Sequence, residues 1–245
     1  MIILLFLCRF TAFLGNSFYV VPYWIWADKL KGFQERECMK SEVATWTRPF
    51  LHELLEEIPK DVESLIDVGC GRGIVGALTR IYRTPKRLVG VDVFQDYIDF
   101  CKKYSIYDEL HRLDLRKTPL PFQNYEFSVA TCIETIEHLP KLHGEQLLDE
   151  LNRIADVVIV STPSSFFKQP DSHVGSNPFQ AHVSKWTVED FKKRGFEVKG
   201  VGSLALNKLA FPTNRLSCRF PGLHQFLLAK TKRRLKKDDL WDKFL

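Results

Sequence analysis

No C-x-x-C pair occurs in this 245-residue chain, and its six cysteines (positions 8, 38, 70, 101, 132 and 218) lack the spacing of a thiolate zinc site. Apolar neighbours around Cys70, Cys101 and Cys132 mark them as small buried thiols of a reducing compartment, so neither a structural metal nor a disulfide is expected. Internal repeats and low-complexity tracts are also absent. The net charge is only +5, and the segment from Ala229 to Leu245 carries seven basic residues against three acidic ones, which leaves the body nearly neutral. A neutral body without an aromatic stacking platform or basic groove disfavours a nucleic-acid partner. The basic end itself reads most simply as a solvated charge run, although anionic lipid or nucleic acid could meet it.

The first 26 residues, MIILLFLCRFTAFLGNSFYVVPYWIW, contain one charge, Arg9. They lack the basic start and small-residue cleavage site of a signal peptide. A spanning helix needs about 20 apolar residues, and a central arginine costs roughly 2.5–3.5 kcal/mol. Asn16, Ser17 and Pro22 weaken that reading further. Two others stand: a cover packed on the protein, favoured by the bends these residues imply, and an anchor at a membrane surface, suited to Tyr19, Tyr23, Trp24 and Trp26.

From residue 41 the pattern changes. SEVATWTRPFLHELLEEIPK places Val43, Trp46, Phe50, Leu54 and Leu55 at helical spacing and stops at Pro59. Strand-like and helix-like segments then alternate: SLIDVG, GIVGALTRIYR, RLVGVDV, FQDYIDFCKKY, a short HRLDL strand, EFSVATCI, HGEQLLDELNRI and DVVIVSTP. Such alternation predicts a parallel sheet with helices on both faces. A loop rich in Ser, Pro, Asn and His follows from Pro163 to Ser184, long enough to serve as a lid or substrate loop. The helix TVEDFKKR and two strands, GFEVKGVGSLAL and HQFLLAKTK, come after it. The chain is expected to divide into a hydrophobic extension (1–40), a catalytic domain (41–232) and a basic tail (233–245).

Glycine occupies every second position in GCGRG, so backbone is meant to approach a ligand closely there. Gly69, Gly71 and Gly73 form one pattern, while Gly71, Gly73 and Gly76 fit the G-x-G-x-x-G dinucleotide fingerprint. Ligands of open parallel sheets bind beyond the carboxyl ends of the strands. Asp67, Asp92 and Asp114 gather on that edge. Asp92, 21 residues after Gly71, suits the ribose of NAD. NAD leaves Asp67 and Asp114 without a task, whereas an aminoacyl-bearing nucleoside offers an ammonium, a ribose diol and an adenine amine.

The ordered stretches DVGCGRG, GVDV, LDL and CIETIEHLP resemble the successive motifs of class I S-adenosylmethionine-dependent methyltransferases. The resemblance spans about residues 41–232, with GFEV and HQFLLAKTK similar to that family's closing hairpin. It implies a Rossmann-like, seven-stranded, mostly parallel sheet with helices on both faces and the last strand antiparallel. It also implies that S-adenosyl-L-methionine is the cofactor. Asp67, Gly69, Cys70, Gly71, Gly73, Asp92, Val93, Asp114, Leu115, Cys132 and Ile133 would surround it, with Asp92 on both ribose hydroxyls and Asp114 and Leu115 at the adenine. One departure is Glu126, which stands where an acid often opens the fourth strand but is followed by Phe127; that position is expected to lie far from the cofactor edge.

Methyl transfer from a sulfonium is an in-line displacement, so a protein mostly supplies proximity and alignment. A base is needed only for a hydroxyl or a protonated amine. Glu134, Glu137 and His138 after the fourth strand, and His173 and His182 in the long loop, are the candidates. NPFQAHVSKWT resembles a loop of methyltransferases acting on small hydroxyl compounds, which puts His182 first, over Trp186, ahead of His138 and Glu134. The expected acceptor is a hydroxyl or amine of a small molecule, hydrophobic or lipid-linked in view of the aromatic N-terminus. The expected setting is the cytoplasm, with membrane-surface contact through residues 1–26 as the second reading. A dinucleotide-dependent oxidoreductase and an inactive methyltransferase-like binding protein remain the alternatives.

Overall fold

A computed structural model of the chain describes residues 11–13, 18–20, 50–166, 177–202 and 225–232. The readings of most of residues 1–49, of His173, of Cys8, Cys38 and Cys218, and of the 233–245 tail lie outside them. The chain forms two compact units, Met1–Val43 and Ala44–Leu245. In the first, strands β1 (Thr11–Phe13) and β2 (Phe18–Val20) pair antiparallel, with Thr11 opposite Val20.

The second unit holds a seven-stranded sheet. Its elements run α1 (Leu51–Glu57), β3 (Ser64–Val68), α2 (Ile74–Tyr82), β4 (Arg87–Asp92), α3 (Gln95–Lys103), β5 (Glu109–Arg112), β6 (Phe127–Ile133), α4 (Lys141–Ile154), β7 (Ala155–Pro163), α5 (Val188–Lys192), β8 (Phe196–Val201) and β9 (Phe226–Thr231). The strand order is β5-β4-β3-β6-β7-β9-β8. Strands β3 to β7 pair in parallel, and β9, last in the chain, runs antiparallel to both neighbours. This is the Rossmann-like arrangement that the resemblance implied, with the parallel strands expected from the alternating segments.

Alternation along each strand sends side chains to two cores. On β7, Val158 and Val160 join a cluster with Leu147, Leu148, Leu151 and Ile154 of α4. Val157 and Ile159 point the other way, into a cluster with Leu54 of α1, Val75 of α2 and Cys101 of α3. Each of these fully buried aliphatic side chains contributes about 1.5–3 kcal/mol. Their i, i+1, i+4, i+7 spacing on α4 is what makes KLHGEQLLDELNRI a helix packed on one face. Helix α1 is fastened to the far strands because Lys199 and Lys230 both reach the Glu57 carboxylate.

Two details refine the sequence reading. Strand β5 stops at Arg112 rather than running through HRLDL. After the Leu113 N–H bonds the Asp92 carbonyl, Asp114 accepts the Arg116 N–H and begins a turn. Glu126 sits at the amino end of β6, where it and Glu109 grip the Arg87 guanidinium on β4. It therefore belongs to the edge opposite the glycine loop. Among the described residues no helix is long and apolar enough to cross a membrane.

Candidate active site

The glycine loop leaves β3 and enters α2 through three left-handed residues, Gly69 (φ 77°), Gly71 (φ 53°) and Gly73 (φ 79°). Each glycine has its own reason. A Cβ on Gly69 would fall 2.3 Å from the Thr135 side chain, and one on Gly73 2.9 Å from Ile106, so both are needed for packing. A Cβ on Gly71 would meet nothing, so this residue faces open space. The Gly76 position of the dinucleotide spacing is explained by the Tyr107 ring, 2.4 Å from where a Cβ would stand.

Asp92, at the end of β4, locks the loop in place. Its Oδ2 accepts the Gly71 N–H at 2.9 Å and its Oδ1 accepts the Phe94 N–H at 2.9 Å. Burial pushes its pKa up, opposed by these backbone donors. A carboxylate has about four lone-pair sites, so both oxygens keep capacity for ribose hydroxyls. Open backbone at Gly71 beside an acid with spare acceptors fits a nucleoside-bearing cofactor.

Asp67 is placed differently from its expected role. It is 1% exposed, and its oxygens accept the Tyr107 hydroxyl at 2.6 Å and the Thr131 hydroxyl at 2.8 Å. It ties β3 to β6 and to the connection between α3 and β5, beneath the loop. The Cys132 side chain also lies away from the rim: it is fully buried in the α4-side core with Phe127 and Ala130 of the same strand. Cys70, Leu115 and Ile133 are buried, and Val93 is half-buried. Asp114 lies at the edge, with its carboxylate held by Arg116 at 2.7 Å and its pKa lowered chiefly by that hydrogen bond.

Burial lifts the Asp67 pKa to about 6, above its ordinary value, against the Tyr107 and Thr131 hydrogen bonds. The fold thus favours the protonated form. That contribution is complete below about pH 4 and is lost as pH rises through 6, with about 3 kcal/mol between the limits. Asp67→Asn should flatten the fall of stability from pH 4 to 7, measured by urea unfolding beside the wild type. Parallel curves would refute this.

A second group of polar residues stands past β6. Glu134 has positive φ (50°), unusual for a residue with a side chain. It is held there by Ser161, whose hydroxyl donates to Glu134 Oε1 at 2.7 Å and accepts the Glu134 N–H at 3.1 Å. Three residues on, the Glu137 carbonyl accepts the N–H groups of Val183 and Ser184, at 2.9 and 3.1 Å. These bonds bring the long loop back to the sheet edge and set His182 against His138, ring centroids 4.9 Å apart. The Trp186 ring lies against Gly144 and fixes the loop on α4. Thr187 and Asp190 close a capping box at the start of α5. His182, Glu137 and Trp186 line one recess.

The Glu137 carboxylate is buried, with neither oxygen in a hydrogen bond of ordinary geometry. Burial pushes its pKa up to about 8 and lowers that of His138 to about 4. Ligand atoms of Glu137, His138 and His182 all lie within 4.8 Å of one another, a spacing able to hold a metal ion. The cysteine spacing that argued against a structural metal carried no information on such a set.

A family model described as a methyltransferase domain matches residues 39–199. No curated protein matches the sequence. Among solved structures, the PH0226 protein of Pyrococcus horikoshii OT3 is 17% identical over 83% of this chain and 99% of that one, with a TM-score of 0.55. An S-adenosylmethionine-dependent methyltransferase of Mesorhizobium loti is 16% identical over 76% and 98%, with a TM-score of 0.52. The small RNA methyltransferase HEN1 is 16% identical over 77% of this chain and 26% of that one, at 0.53. At these identities the likeness is one of fold.

Proposed function

Since the chain belongs to the methyltransferase-domain family, we propose that it moves a methyl group from S-adenosylmethionine to a hydroxyl or amine of a small molecule. The observation that carries this is the open backbone of Gly71 hydrogen-bonded to Asp92. When bound, the cofactor supplies an electrophilic methyl on sulfur with a neutral thioether as leaving group. Everything else falls to the chain. Asp92 would hold the ribose, Gly69 to Gly73 would let the ligand lie against backbone, and Asp114 with Leu115 would border the base. Asp67 keeps the loop in register from below.

The acceptor would enter over the recess that His182 and Trp186 line. His182, His138 and Glu134 would be the groups that take a proton from it. The His138 Nδ1 lies 3.1 Å from the Ala181 carbonyl, which holds that ring's N–H and leaves Nε2 with its lone pair. The near-neutral composition of the body supports a small molecule over nucleic acid, and the single charge in residues 1–26 supports a hydrophobic or lipid-linked one. The cytoplasm, with those residues covering the protein or resting on a membrane surface, completes the reading.

Calorimetry decides the cofactor. S-adenosylmethionine and S-adenosylhomocysteine should each bind with one-to-one stoichiometry, and NAD should not. Preferential NAD binding would reverse the assignment in favour of an oxidoreductase. Cofactor binding without methylation across hydroxyl and amine acceptors would favour the inactive, binding-only form.

A further inference from the structure

We propose that Glu137, His138 and His182, with Glu134 beside them, form a binding site for one divalent first-row transition-metal ion. Three separate features converge on it. The first is spacing: one ligand atom from each of the three residues falls within 4.8 Å of the others. A tetrahedral ion with bonds of about 2.0–2.2 Å asks for ligand separations near 3.4 Å, so the three side chains would draw in by about an ångström.

The second is the state of Glu137. It is 3% exposed, and neither carboxylate oxygen is in a hydrogen bond of ordinary geometry. A buried carboxylate short of well-placed donors is costly, and a cation is a partner that lowers the cost. Its backbone carbonyl, by contrast, is fully used by Val183 and Ser184, so the side chain is directed by a well-tied main chain.

The third is the orientation of His138. Donating Nδ1–H to the Ala181 carbonyl fixes the tautomer and leaves the lone pair on Nε2, the outer-shell bond typical of metal-bound imidazoles. Glu134 brings a second carboxylate close by, its backbone held at φ 50° by Ser161. Two imidazoles with carboxylate oxygen suit Zn²⁺, Mn²⁺ or Co²⁺ better than Ca²⁺ or Mg²⁺, which favour all-oxygen sets.

The role of the ion rests on the methyltransferase reading. A hydroxyl of the acceptor on an open coordination position would be held and acidified. Its proton leaves to solvent, the oxygen forms the new bond to the methyl carbon, and the carbon–sulfur electron pair departs with sulfur. In this form the two histidines are ligands and not bases.

The test uses the full chain after dialysis against EDTA. Co²⁺ is titrated by visible absorption, Mn²⁺ by the loss of the free-ion electron paramagnetic resonance signal, and Mg²⁺ serves as the control. One equivalent of Co²⁺ should bind, with absorption of a low-symmetry nitrogen–oxygen site, and excess Mg²⁺ should not displace it. Glu137→Gln and His182→Ala should each weaken Co²⁺ binding 10- to 100-fold while leaving S-adenosylmethionine affinity unchanged. The absence of stoichiometric Co²⁺ binding to the wild type overturns the proposal whatever the variants do. So does binding that survives both substitutions, and so does displacement by Mg²⁺. Cofactor calorimetry is read separately, so loss of the metal site and loss of the methyltransferase reading give different results.

Discussion

Trp186→Ala should lower the unfolding free energy by about 3–5 kcal/mol, the usual cost of removing a large buried aromatic. The side chain is 1% exposed and packs against Phe191 at 5.6 Å between centroids. The Lys141 ammonium stands 3.6 Å from the ring centre, and the indole N–H donates to the Ser184 hydroxyl at 2.9 Å. Gly144 exists to admit this ring, since a Cβ there would lie 2.5 Å from it. Because Ser184 is two residues from His182, the loss should also reach turnover. Trp186→Phe keeps most of the buried area and loses the indole donor, so about 1–2 kcal/mol is expected. Urea unfolding measures both. A Trp186→Ala protein within 1 kcal/mol of wild type would show that the loop docks by other means.

Asp92→Ala should weaken S-adenosylmethionine binding by about 1.5–3 kcal/mol, roughly 10- to 150-fold, because two ribose hydroxyls lose their acceptor. The substitution also frees the Gly71 and Phe94 N–H groups, so it needs a companion. Gly71→Val is that companion. The new side chain meets open space in the protein and thus obstructs only what lies outside it, although φ 53° costs the fold about 1–2 kcal/mol. Matching losses of affinity by calorimetry, with cooperative melting retained, locate the ligand against this loop. Unchanged affinity in both variants removes it from there.

The sheet was legible because apolar runs, glycines and amphipathic stretches alternate in register with its elements. The cofactor loop was legible for a similar reason: Gly69, Gly71, Gly73 and Asp92 are close in sequence or one strand apart. What sequence could not show depends on contacts between distant residues. Asp67 reads as a ligand-facing acid until Tyr107, 40 positions away, is seen to take its oxygen. Cys132 reads as a rim residue until the pleat of β6 turns it inward. Glu137, His138 and His182 each read as a candidate base, but their union needs the Val183 and Ser184 N–H groups on the Glu137 carbonyl. Nothing in local pattern announces a pairing across 46 residues. A glutamate and histidine in tandem, with a further histidine before an aromatic-Thr helix start, was the available signal.

The insertion of β9 between β7 and β8 has a consequence for how the chain is made. The free edge of β7 finds its partner only when β9 arrives, and the Val158 N–H bonds a Thr231 hydroxyl 73 residues later. During synthesis β7 and its apolar run Val157–Val160 therefore wait with an open ladder, a template for pairing with other chains. The nascent protein is most vulnerable to self-association over that interval, when its glycine loop and Asp92 are already out of the ribosome. A ligand caught early by that half would hold β3 and β4 together before the sheet is closed.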